Sequence, residues 1–189
     1  MWIHEGFTSY SESLFTEYFY GKEAGATYSR GLRKRIQNQD PVIGDYHVNN
    51  EGSGDMYYKG HNMLHTIRQV VNDDEKWRAI LVGMNKDFYH QTVSSAEVEQ
   101  YISEKANVDF SKVFDQYLRD IRIPVLEYFS KNGELVYRWT NVVTDFDMPL
   151  DVMIDGSKQR IYPSAAWQQV KGQELEVVSD YYVYSQELK

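Results

Sequence analysis

Three sets of residues in this chain have the types and the spacing for chemistry. Glu5 and Glu12 lie seven residues apart in an aromatic-rich stretch, so a helix there puts both carboxylates on one face. Two acids on one face can hold a divalent metal; the plainer role for Glu5 is an acid favourably placed near a helix N-terminus. His61-Asn62-Met63-Leu64-His65 sets two histidines at i and i+4, a spacing that can chelate zinc. The residue after His61 is Asn, however, which cannot serve as the general base of a zinc protease. With Leu64 and Ile67 alongside, a packed or surface role is favoured for both rings. Tyr57-Tyr58-Lys59-Gly60 follows a Gly-rich loop directly, and a phenol at the mouth of a helix can donate to a developing oxyanion. In a chain with 16 tyrosines such a patch more often serves packing.

The elements that must position these residues are helical up to residue 122. Phe7, Tyr10, Leu14 and Tyr18, at spacings of three and four, predict a largely buried helix over 2–20, stopped near Gly21. A second helix is predicted over Thr27–Gln39, ending before Pro41. Residues 38–54 read as a long loop, a length more often found near a function. Helices follow over Asp55–Val71 and Asp74–Met84. Ser94 with Glu97 reads as a capping box opening a helix to about Lys105. Asp109-Phe110-Ser111-Lys112 opens the last helix, with Val113, Phe114, Tyr117, Leu118 and Ile121 along one stripe.

The pattern changes at Arg122-Ile123-Pro124, beyond which apolar and polar residues alternate. Three of the four prolines fall there, and Asn132-Gly133 and Asp155-Gly156 are hairpin signals. Strands are predicted at 125–129, 134–143, 147–154, 158–162, 173–178 and 181–185, a small antiparallel sandwich. The fold class is therefore α+β, with a helical part over 1–122 and a β-sandwich over 123–189. Ile123-Pro124 follows the last helix directly, so the two parts should pack on each other.

Composition narrows the partners. The 189 residues carry 20 Lys+Arg against 28 Asp+Glu, a formal charge of -8, which argues against a nucleic-acid backbone as the main partner. Hydrophobic residues make up 42% and aromatics 15%, enough for a real core and against disorder. With no cysteine, disulfides and thiolate chemistry are excluded and the redox compartment stays open. No run of 18 apolar residues is present, and the N-terminus lacks the pattern of a signal peptide. The chain opens on what reads as the first turn of a helix, with no preceding cap, as expected of an excised segment.

Taken in order, these segments resemble a known family. Trp2-Ile3-His4-Glu5-Gly6-Phe7-Thr8 resembles the W-x-x-E-G-F-[AT] helix of zinc aminopeptidases of the aminopeptidase N type, the gluzincins, and Glu12 matches the acid that often follows there. Tyr57-Tyr58-Lys59-Gly60 resembles that family's Y-[ED]-K-G segment. Phe114-Asp115-Gln116-Tyr117-Leu118 through Ile123-Pro124-Val125 resembles the helix and exit strand that close the catalytic domain. The likeness covers nearly the whole chain. It implies the helical C-terminal half of a thermolysin-like catalytic domain followed by a small β-sandwich.

Residue by residue, the resemblance makes Glu5 the third protein ligand of zinc and Tyr57 the donor that stabilises the tetrahedral intermediate. Tyr58 stands where the family usually has an acid, which leaves its contacts open. His61 and His65 match no family ligand. The family's H-E-x-x-H helix, source of two zinc ligands and the general base, has its second His about 19 residues before the glutamate ligand. Counting back from Glu5 places it ahead of Met1. The G-x-M-E-N segment that holds the substrate's free amine is also not found, nor is the N-terminal β domain. The expectation is thus a fragment of a zinc aminopeptidase. Its parent would bind Zn2+ and act on peptides with a free N-terminus, the missing N-terminal domains would be partners from the same polypeptide, and the isolated chain would be inactive and zinc-free. The alternative is a non-catalytic helical plus β-sandwich binding module from a parent lacking the zinc motif. The family has secreted, periplasmic, membrane-anchored and cytosolic members, so the compartment stays open.

Overall fold

A computed structural model describes residues 1–45 and 48–189, so Tyr46 and His47 of the predicted 38–54 loop lie outside the described residues. The helical part comprises α1 (Trp2–Tyr20), α2 (Lys22–Leu32) with a 3-10 turn after it (Arg33–Arg35), α3 (Asp55–Val71), α4 (Asp74–Asp87) and α5 (Ser95–Ala106). It closes with the short α6 (Ser111–Phe114), which runs into a π turn over Asp115–Arg119. Local signals explain most ends. The Asp73 carboxylate accepts the Lys76 N–H at the start of α4, and Ser94 and Glu97 form the reciprocal capping box that opens α5. Asn72 and Asn107 close α3 and α5 in the left-handed conformation.

α3 is the central helix: residues 59–68 are buried without a break. α1 lies across it, but not on the predicted aromatic stripe. Its buried residues are Trp2, Gly6, Ser9, Tyr10 and Ser13, while Phe7 and Leu14 are half-buried and Tyr18 is 83% exposed. Small side chains let α1 approach α3 closely, and that turns the C-terminal aromatics outward. Phe15, Phe19 and Tyr18 there stack on one another, with centroids 4.6 and 4.9 Å apart.

The second helix also departs from its predicted span, starting at Lys22 and ending at Leu32 instead of running over Thr27–Gln39. After Leu32 the chain tightens into the 3-10 turn and Ile36 turns extended, and a tertiary contact keeps the helix from resuming. The Asp55 carboxylate accepts the N–H groups of Gln37 (2.9 Å) and Asn38 (2.6 Å), and Asn38 takes a φ of 51°. Backbone donors held by a carboxylate cannot continue a helical ladder.

The β part forms two small sheets. One has the order β5-β2-β1-β7, built from β1 (Val125–Lys131), β2 (Glu134–Thr140), β5 (Gln168–Lys171) and β7 (Tyr184–Glu187). The other has the order β4-β3-β6, from β3 (Leu150–Ile154), β4 (Ser157–Ile161) and β6 (Leu175–Val177). Both predicted hairpins are present, and Asn132-Gly133 (φ 55°, 82°) and Asp155-Gly156 (φ 48°, 78°) take the two positive dihedrals that a tight hairpin turn needs.

Three strand predictions need correction. β2 ends at Thr140 because Asn141 and Asp145 turn to positive φ and the Gln116 side chain claims the Val143 N–H. β5 lies in a segment without clear alternation. The last strand runs over 184–187 and pairs parallel with β1, so the sheet is mixed and not purely antiparallel. Tyr181 and Tyr182, predicted to be strand, instead plug the seam between the two parts and are buried.

That seam is continuous with both interiors. Tyr117 donates to the Tyr182 carbonyl (2.6 Å), and the Tyr182 N–H donates to the Thr66 hydroxyl (2.9 Å). Arg160 of β4, ion-paired with Asp151, donates to the carbonyls of Val70 and Gln69 in the last turn of α3. A single apolar cluster runs from Trp2 and Tyr10 through Leu64 and Phe114 to Leu126 and Trp139. Among the described residues no helix is long and apolar enough to cross a membrane.

Candidate functional site

The site begins with two glycines. A Cβ on Gly60 would stand 3.2 Å from the Gly6 Cα, and one on Gly6 would stand 3.3 Å from the Met56 carbonyl oxygen. α1 and α3 therefore touch backbone to backbone at this crossing, as only small residues permit. The contact makes neighbours of Glu5, just before Gly6, and Tyr57, one turn before Gly60. The charge of the nearby Glu5 carboxylate raises the Tyr57 phenol's pKa above its ordinary value, with partial burial and Glu51 adding to the effect. Tyr57 is 40% exposed and stays protonated at neutral pH, a hydrogen-bond donor beside a carboxylate on an open surface.

The four residues 57–60 point in four directions and do four things. Tyr57 meets Glu5. The Tyr58 hydroxyl accepts from Arg35 (3.0 Å), whose guanidinium also lies 5.3 Å from the Tyr58 ring centroid. Lys59 turns fully inward and donates to the Asp120 carbonyl (2.7 Å), tying α3 to the chain just after the π turn. Burial lowers the Lys59 amine to about 8, opposed by the Asp55 and Asp120 charges. Gly60 supplies the helix crossing. The position where the resembled family has an acid is thus occupied by a phenol–guanidinium contact.

The other sequence-level candidates lie apart from this pair. Glu12 accepts a hydrogen bond from the Tyr28 hydroxyl (2.6 Å), and two helical turns, roughly 10 Å, separate it from Glu5. His61 is sealed in the core, its Nδ1 3.1 Å from the Ser9 hydroxyl and its Nε2 2.9 and 2.8 Å from those of Ser13 and Ser29. Burial, helped by the neighbouring His65, pushes its pKa down to about 3, so the ring is neutral. His65 is buried one turn on, its Nε2 3.6 Å from Asp180, which is itself paired with Arg30. Both histidines are packed residues. Among the described residues no group of three or more His, Cys, Asp or Glu is placed to hold a metal.

Sequence reasoning missed two features of this region. The serines around His61 were readable as small polar residues recurring at i and i+4 in an otherwise aromatic helix. Two surface hollows flank the start of α1. One, of about 620 Å³, lies between α1 and α4 with Ile3, Phe7, Leu81 and Phe88 in its wall. The other, of about 510 Å³, lies between Trp2, Val42, Asp45, Glu51 and the segment before α5. No sequence signal marks either hollow, since each is made by side chains from distant segments.

No protein-family model matches this chain, and no curated protein matches it in sequence. Its fold is similar to that of a solved structure, Legionella pneumophila aminopeptidase A in complex with aspartic acid, with a TM-score of 0.66 at 13% identity. The match covers 96% of this chain but 23% of that one, so the chain spans about a quarter of the length of the aminopeptidase it resembles. At this identity the likeness is one of fold: the chain has the architecture of one segment of an aminopeptidase.

Proposed function

We propose that this chain is the peptide-handling segment of a zinc aminopeptidase, in which Tyr57 donates to the oxyanion formed at the scissile carbonyl. The observation that carries the reading is the placement of Glu5 beside Tyr57 by the Gly6–Gly60 crossing, within a fold similar to part of an aminopeptidase. A phenol kept protonated by an adjacent carboxylate is a donor over the whole neutral range, and one such donor contributes on the order of a hundredfold in rate. Glu5 offers one carboxylate to a cation. The described residues alone do not fit a zinc ion, which needs three protein ligands, so the others and the general base belong to the N-terminal part of a longer polypeptide. Substrates are peptides with a free N-terminus.

A second reading, a non-catalytic binding module, draws support from the hollows, since neither is lined by Glu5 or Tyr57. Metal analysis and aminoacyl-anilide hydrolysis separate the two. The 189 residues alone are expected to hold no stoichiometric zinc and show no turnover. In a longer polypeptide containing them, Tyr57→Phe should lower turnover about a hundredfold at unchanged zinc content. Full turnover with Phe at position 57 removes the oxyanion role, and inactivity of every longer form leaves the binding module.

A further inference from the structure

The two hollows beside α1 are one feature. Both are lined by Ile3, His4 and Val93, so they adjoin along the first turn of α1. Their chemistry differs along this length. The hollow between α1 and α4 is walled by the half-buried Ile3, Phe7, Leu14, Leu81 and Phe88, with the exposed Thr8, Ser11, Asn85 and His90 at its edge, and has no Asp, Glu, Lys or Arg in its lining. The other has an apolar floor at Trp2 and Val42, both buried, and carries Asp45 and Glu51 at its mouth with no Lys or Arg in its lining. Among the described residues neither acid takes part in an ion pair, and Glu51 lies close enough to Tyr57 for its charge to act on the phenol. The groove therefore has two carboxylates at one end and an uncharged arm at the other.

We propose that these hollows form a single peptide-binding groove that takes a basic side chain at Asp45 and Glu51 and an apolar side chain between α1 and α4. It rests on the proposed reading that this chain handles peptides, and it adds the substrate class. Charge decides the first subsite: a Lys or Arg side chain gains two carboxylates that form no ion pair among the described residues, whereas an acidic one meets like charge in a chain already at -8. Burial of apolar area decides the second subsite.

Fluorescence anisotropy on the 189-residue protein with C-terminally labelled Phe-Arg-Phe-Gly, Phe-Glu-Phe-Gly and Ser-Arg-Ser-Gly tests this. The Arg-Phe peptide should bind about fivefold or more tightly than the Glu peptide, and raising the salt should weaken it, because exposed charges are screened. The double variant Asp45→Asn, Glu51→Gln should abolish that discrimination. Ser11→Trp, which fills the apolar arm from an exposed position, should weaken both Phe peptides roughly tenfold with an unchanged melting temperature. Equal binding of the Arg and Glu peptides, or discrimination that survives the double variant, overturns the basic preference and leaves the peptide reading standing. Failure of all three peptides to bind overturns both.

Discussion

Two polar couples bridge α1 and α3 within two helical turns of each other, and they meet opposite fates. Glu5 and Tyr57 face solvent, keep a charge and a donor, and are held together by a backbone contact between glycines. His61 lies about one turn further along α3, against Ser9 and Ser13 of α1 and Ser29 of α2, sealed and neutral, every ring nitrogen bonded to a hydroxyl. The spacing of the histidines permits metal chelation, as the shared face of Glu5 and Glu12 does, but a packed role is the favoured one for the rings. Burial accounts for that role, because a ring desolvated to a pKa of about 3 and saturated with hydroxyl partners has no lone pair to spare. Spacing identifies groups that can share a face; solvent access decides which of them can do chemistry.

The sharpest way to break this comparison is to remove the sealed couple. His61→Ala should destabilise the fold by about 3 kcal/mol in urea unfolding, because it opens a cavity and leaves three buried hydroxyls short of a partner. The wild-type protein should also lose stability as pH falls. His61 is depressed in the folded state, so the unfolded chain binds the extra proton between its ordinary value near 6.5 and about 3. Above that window the contribution is fully present; through it each pH unit costs about 1.4 kcal/mol, and the His61→Ala profile should be flatter. A parallel profile in the variant would show that His61 is not the titrating group.

The glycine crossing comes next in size. Gly60→Val puts a branched side chain against the α1 backbone and should cost about 2 kcal/mol by overpacking, read as a lower urea midpoint at constant slope. It should also part Glu5 from Tyr57. The smallest effect sharpens the open couple directly. With Glu5→Gln the leading cause of the raised Tyr57 pKa is gone, so that tyrosine should titrate at lower pH, nearer its ordinary value. Ultraviolet difference titration against Tyr57→Phe isolates it among the 16 tyrosines. An unmoved midpoint would mean that the two side chains are not in contact.

Much of the fold was legible because its signals are local. The capping box at Ser94, the α3 span from Asp55 to Val71 and the turns at Asn132-Gly133 and Asp155-Gly156 each depend on residues within a few positions of one another. What failed depended on distant partners. The predicted helix fails to reach Gln39 where Asp55 takes the Gln37 and Asn38 donors, β2 stops where Gln116 reaches Val143, and β7 pairs parallel with a strand nearly sixty residues earlier. The α1 stripe misled because helical periodicity shows which residues share a face but not which face is inside. In the site, the motif around Tyr57 was readable as a pattern, whereas the separate tasks of Tyr58, Lys59 and Gly60 emerge only from their contacts with Arg35, Asp120 and Gly6.

The guanidinium of Arg160 on the last carbonyls of α3 has a consequence for the order of folding. A helix leaves its final carbonyls without partners, and here a strand residue 90 positions later supplies them. The tyrosine-bearing helix can form early but cannot complete its C-terminal end until the second sheet has closed on it. Contacts of such sequence separation are slow to make, since a long loop must close before they add any stability. The C-terminal end of α3 is thereby tied to the sandwich, since its carbonyls gain the Arg160 guanidinium only once β4 is in place.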